Sequence, residues 1–386
     1  MNYTTKLRSV GVLALAWAAA AVCLLLAIVL NSTWLHAHFL PEFFQPRDEQ
    51  LRDLSIVRVL LLPLALAFAW PLRTWLDHRV ARRGFGGLAH DALPTLVAVI
   101  LALGASELLL RHLPWFSTHE VTKQREPLRR RDPIMGWAYA ENRVGRGPLG
   151  GRMIEYAFDP AGHRVRAAGQ RVDYAAPSVL FVGESIITGN GVTYDETIPA
   201  QVGARLGLQP ANLSVGGFAT DQMYLRLKPE WPLYARPRAL VILFMPSLFH
   251  RNLEHDRPHL APDLTWRPPS DDPRLVQIVH RLVPYRSDQD LADATLMTRR
   301  ALFAMVAMAR AQGAAPLILV PELKPETAEE ARIRTQVLAG LPSLRVRVDP
   351  TWHVVRNRHP DARADAAIAA ALADWLVAHG AAEPRL

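Results

Sequence analysis

The 386-residue chain is predicted to be an α/β protein, with membrane helices first and a soluble domain on a parallel sheet after them. Three observations predict it. Residues 10–30 contain no charged side chain and, at about 1.5 Å per residue in a helix, are long enough to cross a hydrocarbon core of about 30 Å. From residue 178 onward, short apolar runs alternate with helix-like stretches, the pattern of a parallel sheet covered by helices on both faces. Two of those runs end in glycine-rich loops, and in such sheets the ligand site lies at the carboxyl ends of the strands.

Composition narrows the function. Half of the residues are hydrophobic while 21% are charged, so the chain is neither membrane-embedded throughout nor disordered. Lys+Arg 44 against Asp+Glu 36 gives a net charge of +8. The bases are scattered and no groove-reading motif accompanies them, which argues against a nucleic-acid partner. Cys23, the only cysteine, excludes an internal disulfide framework and a cysteine-based zinc site. Val22 before it, and the apolar run continuing to Leu30, argue against lipoprotein processing.

The membrane region is expected over 1–116, with helices at 10–30, 54–76 and 92–113 and the lipid bilayer as partner. A cleavable signal peptide fits less well, because the first apolar stretch is too long and further ones follow. Glu107 and Arg111, four apart, suit an ion pair at the membrane interface. Lys6 and Arg8 precede the first helix, and Arg73, Arg79, Arg82 and Arg83 fall between the second and third. Acidic residues Glu42, Asp48, Glu49 and Asp53 offset the arginines of the other loop. The positive-inside rule then puts the amino terminus in the cytoplasm and everything after residue 113 outside, periplasmic and anchored to the inner membrane.

Residues 117–177 read as a juxtamembrane linker with an entry hairpin, since 134–141 and 153–166 alternate in polarity. The soluble domain is expected over 178–386. Its pattern runs strand 179–182, helix 198–206, strand 212–215, strand 239–244, helix 291–311 and strand 316–320. A helix follows that Thr327 opens with Glu330 three residues on, a capping box, then strand 344–348 and helix 364–378.

Three loops carry candidate chemistry. The first reads Gly183-Glu184-Ser185-Ile186-Ile187-Thr188-Gly189-Asn190-Gly191, where a serine just beyond a buried strand presents its hydroxyl at the sheet edge; an ordinary strand-to-helix turn with a capping serine has the same pattern. The second, Gly216-Gly217-Phe218-Ala219-Thr220-Asp221-Gln222, pairs glycines before a helix, leaving backbone N–H groups to face an oxyanion or merely making a turn. The third holds Asp349, His353 and His359-Pro360-Asp361-Ala362 between the last strand and the last helix.

Together these loops resemble the SGNH, or GDSL-like, esterases and acylhydrolases, over roughly 179–378. The resemblance implies a flavodoxin-like three-layer domain with no cofactor. It implies Ser185 as nucleophile, the Ser185 backbone and Gly217 as oxyanion donors, and His359 as general base. Two departures stand out. Where the family has a Gly-x-Asn-Asp turn the chain reads Phe244-Met245-Pro246-Ser247-Leu248-Phe249-His250-Arg251-Asn252, so Ser247 or Asn252 would donate in place of the asparagine. Where the family has an aspartate just before its histidine, this chain has Arg356 and Asn357, which implies a Ser–His dyad held by a backbone carbonyl or by Asp349 as a possible orienting acid. If the loop 350–358 extends, the favoured reading, Asp349 only caps its strand.

The expected function is an extracytoplasmic serine esterase acting on an O-acyl ester, of a cell-envelope glycan in particular. The alternatives are an O-acyltransferase delivering an acyl group to a sugar hydroxyl, and a binding module that kept the fold and lost activity. His250, Arg251, His255, Asp256, Arg257 and His259 could line the site. No helical i, i+4 histidine pair with a carboxylate occurs among them, so no metal is expected.

Overall fold

A computed structural model describes residues 3–40, 42–44, 47–112, 125–282 and 286–381. The chain forms two compact units. The first contains helices α1 (Tyr3–Val29), α2 (Ser32–His38), α3 (Arg47–Ala69) and α4 (Pro71–His112), together with a later helix, Arg274–Leu282. In it Glu107 of α4 pairs with Arg111 at 2.7 Å. The same carboxylate accepts the Arg274 and Leu275 N–H groups at 2.9 and 3.0 Å, capping the later helix.

The helix boundaries differ from the expected ones. Segment 54–76 is not one helix: α3 stops at Ala69 and α4 begins at Pro71, proline being favoured in a first helical turn, where its missing N–H has no partner to lose. The 73–83 stretch, expected as a loop, lies inside the 42-residue α4. Among the described residues no single helix is long and apolar enough to cross a membrane; Ala16–Val29 with Ser32–His38 passes that test only as a pair bent by 76°. In α3 the reason is its charged first half, with Arg47, Asp48, Glu49, Arg52, Asp53 and Arg58.

The second unit holds the parallel sheet. Before it come β1 (Arg129–Asp132) and β2 (Gly136–Tyr139), paired antiparallel, and β3 (Val144–Leu149), β4 (Arg152–Phe158) and β5 (Arg164–Val165), a second antiparallel sheet. The expected single entry hairpin is therefore two small sheets. The main elements are β6 (Ser178–Val182), α5 (Ser185–Thr188), α6 (Ile198–Leu206), β7 (Gln209–Asn212), α7 (Thr220–Glu230) and β8 (Pro237–Leu243). After β9 (His259–Leu260) and β10 (Trp266–Arg267) come α8 (Asp288–Ala311), β11 (Ala315–Glu322), α9 (Ala328–Leu338), β12 (Ser343–Arg347) and α10 (Ala362–Ala378).

Strand order is β12-β11-β8-β6-β7, all parallel. Counted within this sheet that is 2-1-3-4-5, the doubly wound order whose switch point lies between the first and third strands, here β6 and β8. Phe181, Val241 and Leu317 stand in one row across the central strands. With Val179, Leu243 and Leu319 they pack on Ile198 and Val202 of α6 and on Ile368 and Leu372 of α10. The alternate residues Leu180, Ile242 and Ile318 point to the opposite face, which α8 covers, with α7 packed against α8. Strands buried on both faces read as continuous apolar runs, and each large side chain so buried contributes about 1.5–3 kcal/mol. The core includes Phe43 as well, only 3% exposed, whose N–H donates to the Ser247 carbonyl at 2.9 Å.

Candidate active site

Ser185 begins α5 directly beyond β6. A Cβ added at Gly183 would lie 2.7 Å from Ile187 Cγ1 and 3.0 Å from Leu243 Cβ, so only glycine lets the chain turn this tightly between strand and helix. Glu184 then caps α5, its Oε1 accepting the Ile186 N–H at 2.9 Å. The far side of the loop is clamped by Arg164, whose guanidinium donates to the carbonyls of Thr188, Gly189 and Val192 at 2.6, 2.6 and 2.8 Å.

His359 arrives from the loop between β12 and α10. Its Nε2 lies 2.7 Å from Ser185 Oγ. Its Nδ1–H donates to Asn357 Oδ1, which also accepts the His359 backbone N–H at 3.0 Å. Those two bonds fix Oδ1 as the facing atom of Asn357 and leave the Nε2 lone pair directed at the serine. The Phe44 ring lies 5.2 Å from the imidazole.

The second glycine loop abuts Ser185. A Cβ built on Gly216 would sit 3.4 Å from Ser185 Cβ, 3.1 Å from Tyr139 Oη and 2.5 Å from Arg129 Nη2. Two residues of β2 hold this loop: the Gly216 N–H donates to Tyr139 Oη at 2.9 Å, and Trp137 Nε1 donates to the Gly216 carbonyl at 3.0 Å. Gly217, at φ +84°, makes the turn.

A carboxylate and two guanidinium groups set the electrostatics. Glu184 is wholly buried; its Oε2 accepts from the Ser185 hydroxyl and lies 3.3 Å from Arg251 Nη1. Burial alone would raise its pKa, but Arg251, His359, the Ser185 hydroxyl and the Ile186 N–H outweigh that and hold it below the usual carboxylate value. Burial pushes the His359 pKa down; Glu184 opposes this while Arg251 and Arg129 add to it, with a net lowering. The imidazole is thereby kept neutral, the form able to accept a proton.

Of the residues singled out from the sequence, Ser185 and His359 meet, and Gly217 lies in the turn against Ser185. Ser247 and Asn252 form no hydrogen bond with Ser185 or His359 among the described residues. The Ser247 carbonyl is bonded to Phe43, and Asn252 Oδ1 accepts the Thr220 N–H at 2.9 Å. Asn252 also lines a cavity of about 20 Å³ behind Glu184. Asp349 is not the orienting group and stays at the strand end, its exposed carboxylate accepting from the N–H and hydroxyl of Thr351 at 2.8 and 2.7 Å, while Asn357 stands beside His359.

In the 250–260 segment Arg251 reaches Glu184. Arg257 forms a buried two-point pair with Asp221 at 3.0 and 3.1 Å, and His255 stacks on His259. Among the described residues no group of His, Cys, Asp or Glu is arranged to hold a metal ion. Glu184, Asn357, Arg129 and Phe44 were not anticipated, whereas Arg251 was among the residues expected to line the site. Only the first two carried a sequence signal, by standing one and two residues before Ser185 and His359.

No family model matches the chain, and no curated protein does. Among solved structures it is similar to an acetyl xylan esterase from the rumen bacterium Butyrivibrio proteoclasticus, at 12% identity and a TM-score of 0.35. The match covers 54% of this chain and 65% of that one. So distant a likeness does not bear on the site, which stands on its own geometry.

Proposed function

We propose that the protein is a membrane-anchored serine esterase of the SGNH kind that cleaves an O-acyl ester through an acyl-enzyme. The observation that carries this reading is the 2.7 Å approach of Ser185 Oγ to His359 Nε2 at the switch point of a doubly wound sheet, with the imidazole oriented by Asn357. Ser185 Oγ attacks the ester carbonyl as its proton passes to His359 Nε2. The N–H groups of Ser185 and Gly217 would receive the oxyanion. On collapse the ester C–O bond breaks, and the leaving alcohol takes the proton from His359. Water, deprotonated by the same nitrogen, then releases the acid and restores the serine.

Anchoring is supported by the apolar side chains that α1, α3 and α4 leave exposed, among them Leu25, Ile28, Leu60, Leu66, Leu101 and Leu109, a surface that suits lipid. Trp70 and Trp75, also exposed, suit the polar interface of a bilayer. With the soluble unit outside the cytoplasm, an acylated envelope glycan is the substrate class proposed.

A fluorophosphonate probe on the full-length chain tests the reading: labelling is expected at Ser185 and absent in Ser185→Ala. Labelling that persists in that variant would remove Ser185 as the nucleophile. Product analysis with a glycan acceptor, free acid against transferred acyl group, separates hydrolysis from transfer.

A further inference from the structure

We infer that Glu184, rather than Asn357, supplies the negative charge that balances the His359 imidazolium, so that nucleophile and counter-ion are consecutive residues of one turn. The inference deepens the serine-esterase reading of this site and rests on it. A neutral amide at Nδ1 fixes the tautomer of the ring but offers no charge to it. The cations nearby make the need acute. Arg251 and Arg129 both act on His359, so a proton arriving on Nε2 adds a third positive charge to a buried site. Glu184 is the carboxylate that faces them.

Capping alone does not explain this side chain. Serine, threonine, aspartate and asparagine are the preferred N-caps, and one oxygen suffices; Oε1 of Glu184 does that work with the Ile186 N–H. The second oxygen turns to the Ser185 hydroxyl and to Arg251. An ionised carboxylate with no exposed surface costs several kcal/mol unless it is paired and hydrogen-bonded. Both partners of Oε2 belong to the reacting end of the site.

Through the acylation step Glu184 gains and loses no proton. The Ser185 hydroxyl faces two acceptors, Nε2 and Oε2. As the Oγ–C bond forms, the proton moves to Nε2 and the carbonyl π pair becomes the oxyanion. Glu184 keeps its charge beside the new imidazolium until the leaving alcohol takes the proton away.

The test is p-nitrophenyl acetate turnover by the full-length chain, as pH profiles of kcat/KM for wild type, Ser185→Ala, Glu184→Gln and Glu184→Asp, with thermal transitions recorded for each. Glu184→Gln is expected to lose about a hundredfold or more, the scale of general acid–base effects. Its acidic limb should move to lower pH, because a group that favours the imidazolium is gone, and Glu184→Asp should recover most of both changes. A folded Glu184→Gln within about threefold of wild type, its limb unmoved, overturns the inference. If Ser185→Ala keeps its turnover, the serine-esterase reading itself falls; if only Glu184→Gln stays active, the counter-ion alone is lost.

Should Glu184→Gln not fold, Asn357→Asp decides from the other side of the ring. With Glu184 already serving, a second carboxylate should raise the acidic limb while kcat/KM gains less than about tenfold. A gain of a hundredfold or more would show that the charge had been missing.

Discussion

The ring of Phe44 roofs the imidazole of His359, with 5.2 Å between centroids and 42° between planes. The guanidinium of Arg251 lies 5.8 Å from the same phenyl ring on its way to Glu184. One aromatic side chain, from a stretch of chain more than 300 residues before the histidine, thus shields the imidazole.

Removing that roof should change the base. In Phe44→Ala more water reaches His359, the burial that lowers its pKa weakens, and the acidic limb of kcat/KM should move up toward the ordinary histidine value. The rate at neutral pH should fall by about tenfold or less. An unmoved limb in p-nitrophenyl acetate assays would show that other groups account for the burial of the ring.

The wild-type pH profile is itself diagnostic. Burial, with Arg251 and Arg129, holds His359 below its ordinary value of 6.5 despite Glu184, so the neutral base survives into mildly acidic solution. The kcat/KM plateau should extend below pH 6.5, with the fall confined to more acidic buffers. A half-maximal rate above that pH would contradict the electrostatics described.

Stability should respond to pH through His163. This fully buried ring has Asp159 Oδ2 at 3.1 Å from Nδ1 and Glu230 Oε2 at 2.6 Å from Nε2. Burial lowers its pKa, but the two hydrogen bonds and the Glu230 charge prevail and raise it above 6.5. A raised histidine contributes stability that is complete below the unfolded value and is lost as pH climbs through the folded one. The melting temperature should therefore decline on the alkaline side, and His163→Gln should flatten that decline while melting lower at about pH 6. A His163→Gln protein that keeps the wild-type slope would assign the decline to other groups.

Asp365 predicts the opposite kind of variant. It is fully buried in α10, both carboxylate oxygens lack a hydrogen-bond partner among the described residues, and burial pushes its pKa well above 3.8. A raised carboxyl group favours the fold below its unfolded value, and that advantage is lost as pH rises through the folded one. Asp365→Asn should raise the melting temperature at about pH 7.5 by roughly 3 °C or more, with the gain shrinking near pH 4. Equal or lower melting at neutral pH would mean that the carboxylate finds a partner there.

The parallel sheet was legible because a strand buried on both faces has nowhere to put a polar side chain. Val179–Val182 and 239–244 therefore announce themselves. The capping box of Thr327 and Glu330 is present as read, Thr327 N–H donating to Glu330 Oε2 at 2.8 Å. β7 ends at Asn212, three residues earlier than expected, and from there the chain turns toward the glycine loop. Ser185 and His359 were legible because strand-end loops of such a sheet share an edge. Arg129 falls in the expected linker 117–177 and Phe44 between the first two expected helices, and no local pattern reports which distant segment folds back over a site. Asn357 reads as an absent acid because it lacks the charge of an aspartate, although its amide oxygen accepts the same hydrogen bond.

Phe43 bears on how this domain can be produced in isolation. A fragment starting at residue 125 or 178 leaves behind the side chain that fills part of the core, and emptying a buried phenylalanine site typically costs about 3–5 kcal/mol. Against a total of about 5–15 kcal/mol for an ordinary domain, that is a large share, and such a fragment would also present an unroofed histidine to solvent. Grafting residues 41–44 back through a flexible tether should restore both the melting temperature and the acidic limb of the rate profile. A boundary drawn by sequence position alone cuts away a plug that the fold recruits from elsewhere.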